Sequence, residues 1–96
     1  NELYFKSSNT NAMKLPTIHL NGTSADALAN GYEKAYRALT EALDALCNCG
    51  PNARDYYPQG NGALKSATDE HGQHLAALKA AQTYVLELYE HCTDAA

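Results

Sequence analysis

Apolar residues recur at intervals of three and four along two long stretches of the chain. In the first, Leu28, Tyr32, Ala35, Leu39, Ala42, Leu43 and Leu46 keep that spacing, which predicts one face of a helix. Glu33, Arg37, Thr40, Glu41 and Asp44 fall on the opposite, solvated side. Thr23 and Ser24 offer N-cap hydroxyls and Asp26 puts an acid in the first turn, so this helix is expected over about 24–49. Gly50-Pro51 ends it, with glycine suited to a left-handed C-cap and proline unable to continue. In the second stretch Leu64, Ala67, His71, His74, Leu78, Ala81, Val85, Leu88 and Cys92 alternate three and four without a break. That pattern predicts a helix over about 63–92 carrying a coiled-coil heptad seam.

Residues 13–23 read as extended, because Pro16 blocks a helix, Thr17 and Ile18 are β-branched and Asn21-Gly22 signals a turn. Residues 50–62 form the connecting loop. The fold class expected is therefore all-α: an antiparallel two-helix hairpin over 24–92 behind an extended N-terminal segment. Centring the loop near Tyr56 sets Gly72 opposite Thr40 and Gly31 opposite Ala81; close backbone approach is the expected reason, at least for Gly31, with a slight bend beside the histidines the alternative at Gly72. Leu75, Leu86 and Tyr89 widen the apolar arc of the second helix to about 160°, more than one partner helix covers. Residues 17–20 are placed to cover the end near Val85 and Tyr89. A second copy covers the rest, giving a homodimeric four-helix bundle.

Length and charge narrow the picture further. The chain has 96 residues, one domain at most. Residues 1–12 read as an expression-tag remnant: Glu2-Leu3-Tyr4-Phe5-Lys6-Ser7 resembles a viral protease site used in such tags, and Asn11-Ala12 precedes Met13 like a cloning scar. The remaining chain is near the lower limit for an independent core, which again favours a homo-oligomer. Net charge is −4 and the seven basic residues are scattered, so nucleic acid is not an expected partner. Apolar runs are too short for a membrane span, and no leader follows Met13, so a cytoplasmic protein is expected. Cys47, Cys49 and Cys92 are odd in number, and helices of about 40 Å would hold Cys92 away from the other two, so reduced, partly buried thiols are expected.

His71 and His74 are the least usual seam residues. At i and i+3 they share a face and could begin a metal site, with Glu70 beside His74. Two imidazoles fall short of a ligand set, and half-buried histidines bonded to Tyr36, Thr40, water or a symmetry partner are the plainer expectation. Cys47 with Cys49, and His19 with His91 and Cys92, are likewise incomplete, so no metal ligand and no cofactor is assigned. No phosphate loop, nucleophile with a base, or buried carboxylate pair is present, and no catalytic residue is assigned. Arg54, Asp55, Tyr56, Tyr57 and Gln59 form the densest polar-aromatic set, the composition of an interface anchor. A structural role stands beside that one: a tyrosine closing the end of the helix pair, with Arg54 and Asp55 fixing the turn.

The run Ile18-His19-Leu20-Asn21-Gly22-Thr23-Ser24, the alanine/leucine helix, and Pro51-Asn52-Ala53-Arg54-Asp55-Tyr56-Tyr57-Pro58-Gln59-Gly60 together resemble short uncharacterised proteins encoded in bacteriophage and prophage genomes. The resemblance implies a setting, a phage product in a bacterial host, and no mechanism. The function expected is a non-enzymatic oligomeric protein-interaction module contacting a host or phage protein through residues 54–59. The alternative is a metal-binding or pH-responsive bundle built on His71 and His74.

Overall fold

The computed structural model describes residues 13–95, and the expected tag remnant at 1–12 lies outside them. The chain is all-helical, with no strand among the described residues. Helix α1 spans Ala25–Cys47. Ser24 caps it from an extended backbone, its hydroxyl accepting from the Ala27 amide at 3.1 Å, and Asp26 sits in the first turn. The helix stops two residues short of the expected end, and its C-cap is not glycine. Asn48 closes it in the right-handed region, donating to the Asp44 and Ala45 carbonyls. Gly50 does not take a positive φ; Pro51 alone suffices to stop the next turn.

The connection is not a plain loop. Asn52 caps a short helix, α2 (Ala53–Tyr56), accepting from the Arg54 amide at 3.0 Å. A 3-10 turn follows over Tyr57–Gln59, with Pro58 pre-set for its first turn. The chain reverses only at Gly60 and Gly62, whose φ values of 102° and 91° suit glycine and few other residues. Helix α3 then runs over Ala63–Ala95, three residues beyond the expected Cys92.

These details move the register. Thr40 on α1 accepts a hydrogen bond from the Gln82 amide at 2.8 Å, so residue 82, rather than the expected Gly72, lies opposite residue 40. The midpoint of that pair is residue 61, between the two positive-φ glycines. At 1.5 Å per residue the displacement along α3 is about 15 Å. Helices α1 and α3 thus run alongside each other in opposite directions, with Gly50 packed on His71 at one end. Neither Gly31 nor Gly72 has a neighbour that an added Cβ would meet, so close backbone approach does not account for either. Thr40, expected on the solvated side, holds in place Gln82, the one buried polar side chain among the described residues, which sequence spacing did not single out. A buried amide without that partner would cost about 1–3 kcal/mol.

Helix α3, about 50 Å long, outreaches α1, about 35 Å. The molecule measures 61 × 27 × 17 Å, and its radius of gyration of 18.2 Å compares with about 12 Å for a compact chain of this length. Burial is correspondingly local. Val85, Leu88 and Cys92 are the buried apolar residues among those described, and α1 has none. They lie in the last third of α3, near where the segment before α1 meets that helix through the His91 ring on the Pro16 carbonyl at 2.7 Å. That carbonyl can only accept, so Nε2 of His91 carries the proton. The expected turn forms at residues 19–22, closed by the Gly22 amide on the His19 carbonyl, while Leu20 at its tip is 98% exposed.

The regular heptad seam does not persist along α3. Near the start the inward positions are Ala67, His71 and Leu75, and His74 stands exposed. An α-helix drifts about 20° per heptad against a strict 3.5-residue repeat, so the face set by residues 85, 88 and 92 has rotated by about 60° three heptads earlier. Leu64, also an expected seam residue, is 37% exposed. Truncating Leu88 to alanine should therefore cost about 3 kcal/mol of unfolding free energy, as for a buried leucine. Leu64→Ala should cost under about 1 kcal/mol, as for a surface position. Urea denaturation of the two variants checks the contrast, and equal losses would mean that the core extends the full length of α3.

Candidate functional site: the connection and the clefts beside it

Helical winding separates the two adjacent tyrosines of the connection. Tyr56, last in α2, turns inward and is half-buried, while Tyr57 opens the 3-10 turn and is 77% exposed. Arg54, Asp55 and Gln59 are exposed as well. The expected interaction residues therefore divide: Tyr56 packs, and Arg54, Asp55, Tyr57 and Gln59 face outward. Arg54 and Asp55 make no ion pair with each other; the Asn52 cap and the prolines shape the turn instead. The capping role of Asn52 is legible in the sequence from its residue type and its position before the short helix.

Tyr56 lines a cleft of about 260 Å³ with Leu46, Cys49, Pro51, Glu70, His71 and His74. The two histidines meet this cleft differently. His71 lies against Gly50, where an added Cβ would be 3.6 Å from its Nε2, and that nitrogen is buried without a hydrogen-bond partner in the protein. His74 is at the exposed rim. The partners expected for them are elsewhere, since Thr40 is engaged by Gln82 and Tyr36 lies near the middle of α1. Glu70 does not pair with His74. The ion pairs among the described residues are Arg37–Glu33 and Lys65–Asp69, each at 2.8 Å on one helix. In both pairs the hydrogen bond to the carboxylate, then its charge, raises the basic group's pKa.

Among the described residues no three His, Cys, Asp or Glu side chains converge as a metal would need. Cys47 and Cys49 are exposed rather than partly buried, and the Cys49 thiol turns back to the Leu46 carbonyl at 3.5 Å. Cys92 is fully buried. All three are free thiols. His91 is occupied by Pro16, and His19 lies over Gly22, so neither joins Cys92 in a ligand set.

A second cleft, of about 310 Å³, opens between α1 and α3, lined by Glu33, Tyr36, Arg37, Leu86 and Tyr89. Sequence spacing flagged Leu86 and Tyr89 as surplus apolar surface but left Glu33 and Arg37 on the far side of α1. The structure instead sets all of them around one cleft, with residues 33 and 89, and 36 and 86, centred on the same residue 61 as the Thr40–Gln82 pair. No helix of the described residues is long and apolar enough to cross a membrane.

An imidazole nitrogen buried without a partner weakens the fold where it sits. Replacing His71 by leucine removes that nitrogen while keeping a side chain against Gly50, and should raise stability by about 1 kcal/mol in urea denaturation. A loss of similar size would mean that Nε2 has a bonding partner in solution. No protein-family model matches the chain, and no curated protein or solved structure matches it either.

Proposed function

We propose that this chain is a non-enzymatic, self-associating protein-interaction module: a two-helix hairpin that pairs with a second copy into a four-helix bundle and presents the α2/3-10 elbow to another protein. The observation that carries the reading is the division of the elbow. Tyr57, 77% exposed, stands on a backbone held by an Asn52 cap, a proline-containing 3-10 turn and two glycines. A large amphipathic ring fixed in solvent loses little conformational freedom when a partner covers it, and tyrosine and arginine are the commonest interface anchors. Arg54 and Gln59 flank it with polar handles.

Self-association is supported by the small core, since so few buried apolar residues contribute little hydrophobic free energy beside the ordering of the backbone. The likeness of residues 51–60 to proteins of phage and prophage genomes makes a phage or bacterial-host protein the partner class, and the bacterial cytoplasm the setting. The second reading, a metal- or proton-responsive bundle on His71 and His74, is favoured only by Cys49, Glu70 and both histidines bordering one cleft. Zinc titration monitored by calorimetry decides it: no heat at stoichiometric metal ends that reading.

Substituting Tyr57 by alanine should abolish co-purification of a partner from phage-infected cells, with helicity and melting temperature unchanged. Tyr56→Ala should instead lower the melting temperature, because it opens the cleft beneath α2. If Tyr57→Ala destabilises the fold as much as Tyr56→Ala, the elbow is a structural plug and not a binding surface.

A further inference from the structure

We infer that the cleft lined by Tyr36, Leu86 and Tyr89 is the face on which a second copy of this chain docks, about a two-fold axis that sets Arg37 of each copy against the partner's Glu33. This rests on the reading of the chain as self-associating and assigns the surface that does it. At about 310 Å³ the cleft is at the small end for a ligand pocket, but it is the kind of hole a facing helix fills with side chains. It lies along two packed rods, so a second helix pair can lie parallel to its length. One helical turn away is the Thr40–Gln82 bond, which joins α1 to α3 beside the cleft.

Charge selects the occupant. The chain carries eleven acidic and seven basic residues, and two copies repel wherever acidic surface meets acidic surface. The rim of this cleft is balanced: Glu33 and Arg37, one turn apart on α1, are joined at 2.8 Å and both reach solvent. A two-fold axis reverses their order, so each charge of one copy meets its opposite on the other. That match is what an isologous interface requires and what an unrelated acidic partner would lack. The ion pair itself adds little on an exposed surface and serves chiefly to fix orientation. Tyr36, Leu86 and Tyr89, half-buried in the lone chain, supply the apolar contact.

Sedimentation equilibrium of the full chain over a wide concentration range tests the assignment. Wild type should be a dimer, and Leu86→Arg should weaken it by roughly thirtyfold, the loss expected for a central apolar anchor. Tyr84→Arg, 53% exposed and about 200° round α3 from Leu86, should leave the dimer intact. Arg37→Glu should weaken association several-fold, and the exchange E33R/R37E should restore it. Because Arg37 is largely solvent-exposed, that pair reports on assembly even if Leu86→Arg fails to fold. A dimer unaffected by Leu86→Arg and Arg37→Glu, or broken by Tyr84→Arg, would overturn the assigned face and leave self-association standing. A wild-type monomer at every concentration would overturn both, and would leave the cleft to a helix of another protein.

Discussion

Two helices of unequal length, packed side by side, leave most of each rod facing water and bury little unless further chain covers them. That constraint governs this molecule. Along α1 no residue is buried, and on α3 the buried residues among those described are Gln82, Val85, Leu88 and Cys92. The segment before α1 meets this stretch of α3 through the bond between His91 and the Pro16 carbonyl. Elsewhere along the pair, side chains of the same type are half-buried or exposed. Hydrophobic stabilisation scales with area removed from water, so the C-terminal third of α3 is the anchor and the rest of the pair is carried by it.

The start of α3 meets the problem in another way. Helix α1 ends at Cys47, so residues 63–74 pack against the connection instead. Winding that connection into α2 and a 3-10 turn brings Tyr56 over the gap and leaves Tyr57 outside. The pairing of one packed ring with one displayed ring is a direct result of helical geometry, in which neighbouring residues project about 100° apart. His71, against Gly50 with Nε2 unbonded, marks the same region as loosely satisfied. The cleft there is open and mixed in character, and among the described residues no set of metal-ligating side chains converges in it.

Much of the architecture was legible in the residues. Ser24 announced the start of α1, the three-four spacing announced both long helices, and Leu86 with Tyr89 announced surplus apolar surface. The register was not legible, for a specific reason. Residues 51–59 contain prolines and polar groups that read as loop, yet Asn52 can cap and Pro58 can open a 3-10 turn, so the chain advances along α3 before reversing at Gly60 and Gly62. Everything inferred from the midpoint moved with it: the partner of Thr40 and the surroundings of the internal glycines. His74 was lost to the drift of a 3.6-residue helix against a 3.5-residue repeat. Gln82 escaped notice because a polar residue beside a seam looks solvated until its partner is known.

The same burial deficit ties the fold to the proposed assembly. If a second copy supplies the missing cover, folding and association are linked, and stability depends on how much protein is present. The melting temperature measured by circular dichroism over a thousandfold range of protein concentration is the most direct test. A rise with each increase in concentration is expected if the chain completes its core with a copy of itself. A melting temperature independent of concentration, with full helicity at the most dilute point, would contradict it.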